Sequence, residues 1–206
     1  MTSEPKGTSI SEPSIGEDHH SSSFRFIVAG MVMWISFSLG MSMFSVSPIM
    51  PLIMDAYSIN RGIASLLISL IPLVHLLLAI PGSMLVSRIG TRKLIFLGAL
   101  FGSAPLLSFL AVNFPLLVLT RVLYGVGLAL VFPSVGPLAM HWFNSKELPV
   151  FNGLFVAALT FGMAISSFAV APISEAVGWK AALSILGGIP LVGGFCWLAL
   201  GQRAQA

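Results

Sequence analysis

The sequence predicts an all-α membrane protein with six transmembrane helices, and two observations carry that prediction. Composition is the first: 56% of the 206 residues are hydrophobic and 8% are charged, where a soluble domain carries about a quarter charged residues. Pattern is the second: the apolar residues form continuous runs of about twenty, long enough to cross a hydrocarbon core, and the charges collect in the gaps. A soluble core of this size cannot bury so much apolar surface, so lipid is the solvent. In hydrocarbon an unpaired backbone group costs several kcal/mol, which leaves helices or a closed barrel. Barrel strands alternate apolar and polar residues, and these runs do not alternate.

Residues 1–24 are rich in Ser, Glu, Pro and Gly, the composition of a disordered cytoplasmic tail. His19 and His20 fall within it, as solvated residues or a weak metal pair. The leading segment is not basic, and the first apolar run exceeds the about 7–15 residues of a signal peptide, so a cleaved signal is not expected. Six spans follow near residues 25–50, 62–86, 93–112, 115–140, 152–173 and 180–200, making 25–200 one bundle. Residues 201–206 are the start of a cytoplasmic loop or a truncated end. A brief turn at Asn113 and Pro115 makes spans three and four antiparallel neighbours. Proline recurs inside the spans, at Pro72, Pro81, Pro105, Pro133, Pro137, Pro172 and Pro190. Each would cost about 3 kcal/mol in a soluble helix, but membrane neighbours re-satisfy the freed carbonyls, and bent helices suit moving parts.

Basic residues in short loops set the orientation. With the N-terminus inside, Arg25, Arg88, Arg92, Lys93, Lys146 and Arg203 fall on the cytoplasmic side, and Arg61 and Lys180 outside. Both termini are therefore expected in the cytoplasm and the chain in the plasma membrane, crossing it several times. Cys196 stands alone in an apolar run, a packing residue rather than part of a disulfide framework or metal cluster. No metal, cofactor or nucleic-acid partner is expected.

The most informative stretch is residues 81–93, Pro-Gly-Ser-Met-Leu-Val-Ser-Arg-Ile-Gly-Thr-Arg-Lys, a tight basic loop between spans two and three. Gly90 can take a positive φ there, and Arg88, Arg92 and Lys93 hold the loop inside and can donate to helix C-termini. A second stretch, residues 121–129, reads Arg-Val-Leu-Tyr-Gly-Val-Gly-Leu-Ala. Both resemble signatures of the major facilitator superfamily, the first through Leu85, Arg88, Gly90 and Arg92, the second through Arg121, Gly125, Gly127 and Ala129. Three positions depart from the pattern: Ser83 and Ser87 stand where the family has a Gly and an acid, and Tyr124 where it often has Gln. In the family that acid helps latch the two halves in one access state, and here the latch lacks it. Weaker likenesses are the loop His141 to Glu147 followed by Asn152-Gly153, and the turn Gly178-Trp179-Lys180.

The resemblance implies a six-span bundle of 3+3 inverted repeats, as in one half of a transporter of that superfamily. It implies alternating-access movement of a small polar or anionic solute, by uniport or proton symport, completed by a missing six-span half. The rival reading is a half-sized protein acting as a homodimer. Within the chain, residues 87–93 and 174–180 both place a Ser, a Gly and a Lys at the start of the third helix of a three-helix unit, a hint of such a repeat.

Arg121 is the one basic residue inside a span, where a charge costs about 2.5–3.5 kcal/mol and should face a cavity or protein. It either couples protons or attracts an anion, with Tyr124 as a further candidate on the same pathway, or it is a structural anchor. His75, mid-span, is a proton carrier or substrate ligand, or is satisfied by a carbonyl. Ser38, Ser42 and Ser45 share one helical face, with Trp34 a turn earlier, and Thr160, Ala164 and Ser167 repeat the spacing; each face lines a cavity or packs. Gly125 and Ala129 let helices approach closely. No acid lies inside any span, and span five lacks an adjacent Gly-Pro, Gly162 and Pro172 being far apart, which favours uniport or symport over antiport. An enzyme is not expected: around Gly102, Ser103 and Ala104 there is no Gly-X-Ser-Gly turn for an intramembrane protease. No span carries the periodic Arg or Lys of a voltage sensor either.

Overall fold

The computed structural model describes residues 22–200, and over them the chain is helical. The expectations for the tail, His19 and His20, for residues 201–206 and for Arg203 lie outside the described residues. The helices are α1 (Ser22–Phe44), α2 (Met50–Tyr57), α3 (Arg61–Ala64), α4 (Leu66–Ile89), α5 (Thr91–Gly102), α6 (Phe114–Trp142), α7 (Leu148–Val177) and α8 (Trp179–Leu200), with a 3₁₀ segment over Ala104–Leu110. They make six stretches long and apolar enough to cross a membrane, α3 with α4 and α5 with the 3₁₀ segment each counting as one.

Two elements differ from the hydropathy reading. The first helix stops at Phe44, not residue 50, because Pro48 has no N–H for the Phe44 carbonyl. That carbonyl instead accepts from Ser47 in a turn, and α2 starts afresh beyond it. The third span is α-helical only to Gly102, since Pro105 cannot donate to Phe101 and the backbone tightens into the 3₁₀ segment. A 3₁₀ turn rises about 2.0 Å per residue against 1.5 in an α-helix, so this short span still reaches across.

Partner choice among the helices follows a swap. Helix α1 packs on α7 and α8, α6 packs on α4 and α5, and α5 meets α8. Exchanging the first three spans with the last three returns the same pairs, which is the signature of an inverted repeat. The two turns leading into the third spans agree in backbone: Gly90 has φ 87° and ψ 148°, and Gly178 has φ 85° and ψ 150°. Both conformations suit glycine alone among the residues. Close crossings are made where a side chain is missing. A Cβ on Gly40 would run into the Leu159 carbonyl and one on Gly162 into the Phe37 carbonyl, so α1 and α7 touch backbone to backbone.

The third spans also clamp each other at both ends. On the side where α1 begins, Arg92 donates from Nη2 to the Leu198 carbonyl at 2.8 Å, while Trp197 Nε1 donates to the Arg92 carbonyl at 3.1 Å. On the far side, Lys180 Nζ donates to the Ala111 carbonyl at 2.8 Å, with the Tyr57 hydroxyl on the same oxygen at 2.8 Å. Each basic residue stands two positions after its turn glycine and caps the end of the other repeat's third span. The Lys180 ammonium also lies 5.9 Å from the Tyr57 ring centre and 5.5 Å from that of Trp179. Burial raises the Tyr57 pKa, so its hydroxyl keeps the proton it donates. Lys180→Met and Arg92→Met should each lower unfolding stability by about 1 kcal/mol, the size of a partly exposed charge-assisted bond. Denaturation of the double variant should show the two losses adding within about 0.5 kcal/mol, because the clamps stand at opposite ends.

Candidate functional site

Helix α6 starts on Asn113, whose side chain accepts from Leu116 N–H at 3.1 Å, with Pro115 in the first turn where its missing N–H costs nothing. That start puts Arg121 about two turns below the far side, facing inward, with no solvent exposure at all. Small residues then fit α6 between two neighbours. Gly125 lies against Ile71 and Val74 of α4, and Gly127 against Gly98 and Gly102 of α5. The Ala129 carbonyl lies against Gly82, where an added Cβ would collide with it. Gly82 thus makes the close approach, while Ser83, at the family's glycine position, is exposed and donates to the Ile80 carbonyl at 2.7 Å.

The Arg121 guanidinium reaches across to α1. Its Nη1 donates to the Ser42 carbonyl at 3.2 Å and to Ser45 Oγ at 3.5 Å, both at the long end of the range. Ser45 Oγ donates to the Ser42 carbonyl at 2.8 Å, and Ser42 Oγ to the Leu186 carbonyl of α8 at 3.1 Å. One turn on, the Tyr124 hydroxyl donates to the Leu39 carbonyl, fully buried. Arg121, Tyr124, Ser42 and Ser45 are therefore brought together. Ser38 is buried on the same helix but donates to its own Ile35 carbonyl at 2.8 Å.

Other expected residues lie elsewhere. Trp34 is half-exposed in an apolar groove between α1 and α8 lined by Ile27, Gly30, Met31, Gly193 and Cys196. His75 stacks edge-on to Phe132 at 5.2 Å, and Phe132 on Phe155 at 5.5 Å, a chain of rings from α4 through α6 to α7. Phe132 stands three turns from Arg121, about 16 Å along the axis, so the imidazole and guanidinium are apart. The Nδ1 of His75 is buried without a partner. Thr160 and Ala164 are exposed on α7, and Thr160 and Ser167 donate to carbonyls of their own helix. In the basic loop Leu85 is half-buried, Ser87 donates to the Met84 carbonyl at 2.8 Å, and Arg88 and Lys93 are exposed. Glu175 sits exposed in the last turn of α7, so among the described residues no acid lies in a span interior.

Sequence reasoning missed Ser36, which donates to the Phe155 carbonyl at 2.8 Å and ties α1 to α7. It also missed Ser108 and Ser166, buried with no partner for their Oγ atoms. The only signal was a small polar residue in an apolar run, which many packing residues share.

A bundle with this swap of helix pairs is an integral membrane protein built on the repeat plan of secondary transporters. A family model described as Major Facilitator Superfamily matches residues 32–205, and the chain belongs to that superfamily. Among its relatives are an Escherichia coli protein named "Probable L-galactonate transporter", 30% identical over 68% of this chain and 31% of its own length, and a Cupriavidus necator protein named "Probable sulfoacetate transporter SauU", 25% identical over 81% of this chain and 39% of its own. A third, from Staphylococcus haemolyticus, is named "Probable nitrate transporter NarT" and is 27% identical over 66% of this chain and 35% of its own length. The chain spans less than half the length of these relatives.

Proposed function

We propose that this chain is one six-helix unit of a transporter that moves a small oxyanion by alternating access, by uniport or proton symport. Arg121 carries the reading. It is a fully buried cation with no acid in the span interiors around it, held on two weak bonds, so a negatively charged solute is its natural counterion. The relatives' names, all of oxyanionic solutes, support the same class. A second six-helix unit, the rest of a longer polypeptide or another copy, would complete the path. Helices α4 and α7, equivalent under the repeat, are the most exposed pair: an apolar 18-residue stretch of the spans at Arg61–Ile89 and Leu148–Val177 is 17% and 22% buried, against 50% or more in the others. On α7 the exposed residues Gly153, Ala157, Thr160 and Ala164 follow at intervals of four, three and four, a face small enough for another helix backbone. Lipid alone has no need of such a face.

The structure's side bearing Arg25, Arg88, Arg92, Lys93 and Lys146 would be cytoplasmic by the positive-inside rule. A cysteine at Ser58, in a Cys196→Ser background, should then react with an impermeant thiol reagent from outside intact cells; reaction only after lysis would reverse the orientation. For the transport reading, uptake of labelled oxyanions by cells expressing the complete transporter, with and without Arg121→Met, is the test. Undiminished uptake in the variant would leave Arg121 a structural role only.

A further inference from the structure

Arg121 shows which part of it is spoken for. Both hydrogen bonds to the guanidinium go to Nη1. The Nε and Nη2 atoms have no partner within the chain, although the residue is fully buried. Those two nitrogens form one edge of the planar fork, and their N–H groups run parallel at the spacing of two oxygens on one carbon. Here that edge has no partner within the chain while the corner atom Nη1 is tied to α1.

The level of the bundle at which this occurs is polar on several sides. Ser42 Oγ reaches Leu186 and Phe109 N–H donates to Ser184 Oγ at 3.0 Å, which sets Ser108 and Ser184 level with Ser45. Gly162 abuts Met41, so one turn further along the parallel α7 Ser166 is also level with Ser45. Ser108 Oγ and Ser166 Oγ are buried without partners as well. Four buried polar atoms without a partner in the chain, two of them on a fixed cation, therefore lie at one depth of the bundle, and among the described residues no acid lies at that depth. A buried layer of this kind is satisfied by a ligand that brings two acceptor oxygens and one negative charge.

We infer that the Nε–Nη2 edge of Arg121 is a side-on docking site for the two oxygens of a single carboxylate-type head group, and that the site accommodates one negative charge. This rests on the oxyanion reading above and narrows it. A second carboxylate on the same solute would have no cation to meet in this layer, as Arg121 is the one Lys or Arg in the described span interiors. Every group named belongs to this chain, so the chain alone carries the site.

The experiment is ligand-dependent thermal unfolding of the purified chain in lipid nanodiscs, at constant ionic strength set with sodium chloride. Sodium propionate should raise the midpoint in a saturable way, by mass action on the folded state. Propionamide, its neutral isostere, should not, and malonate, with two charges, should shift it less than propionate. Arg121→Lys, which keeps the charge and loses the fork, should abolish the propionate shift. A propionate shift that survives in Arg121→Lys overturns the side-on edge. Malonate equalling propionate overturns the single charge while the oxyanion reading stands. Propionamide acting as well as propionate sinks the oxyanion reading itself, and no shift with any probe overturns the site.

Discussion

Arg121→Met is expected to cut uptake by the complete transporter at least a hundredfold while leaving the folded bundle as stable as before, or more so. The two outcomes have separate causes. A buried guanidinium with two unpaired nitrogens is a cost to folding, and its two bonds to α1 are long. Replacing a buried charge by an apolar side chain of similar length is commonly neutral or stabilising, and the membrane insertion penalty of about 2.5–3.5 kcal/mol disappears with the charge. Transport moves the other way. Without the cation an oxyanion entering the bundle loses its counter-charge, and a hundredfold loss corresponds to about 2.7 kcal/mol. A purely structural Arg121 reverses the pattern: the unfolding midpoint falls and uptake per folded molecule holds. Uptake and thermal unfolding measured on the same preparations separate the two.

Gly127→Leu should have the largest effect on the fold. A Cβ at this position would meet Gly102 N and Gly98 O of α5, both backbone atoms that no rotamer change can move aside. Overpacking typically costs about 1–3 kcal/mol when side chains can adjust; here two helix axes must separate, and the cost should exceed that range. Gly136, on the same helix, has nothing within 4 Å of its would-be Cβ. Gly136→Ala is therefore expected to be neutral or slightly favourable, since alanine is the better helix former. Thermal unfolding of the two variants in one lipid provides the comparison. Equal losses would mean that the α5–α6 crossing is not set by backbone contact at Gly127.

The same two residues divide what the sequence carries from what packing adds. Arg121 was visible because a lone charge in an apolar run is costly wherever it points. Which of its nitrogens are occupied depends on Ser42 and Ser45, more than seventy residues away along the chain. Gly127 stood out through the family signature, but its neighbour did not. The family's loop glycine is Ser83 here, and only the crossing with Ala129 shows that Gly82 takes the close contact. Of the small polar residues in the spans, the serines of α1 and those of α7 look alike in sequence. Packing separated them, burying Ser42 and Ser45 beside Arg121 while leaving Thr160 on an open face.

The sequence by itself determined the number of spans and their membership of the superfamily. Hydropathy is a sum over about twenty neighbouring residues, and the signatures are contiguous runs of fewer than fifteen, so neither needs a partner from elsewhere in the chain. The turn at Gly90 was legible for the same reason. What the tertiary structure alone decided is every contact between elements: the end of α1 at a turn before Pro48, the tightening of the third span beyond Ser103, and the clamps Arg92 to Leu198 and Lys180 to Ala111. Those clamps join cations to carbonyls 106 and 69 residues away, and a carbonyl carries no mark in sequence. The inverted repeat belongs with them. A Ser, a Gly and a Lys near two turns only hinted at it, whereas matching φ and ψ at Gly90 and Gly178 and the exchange of helix partners display it in space.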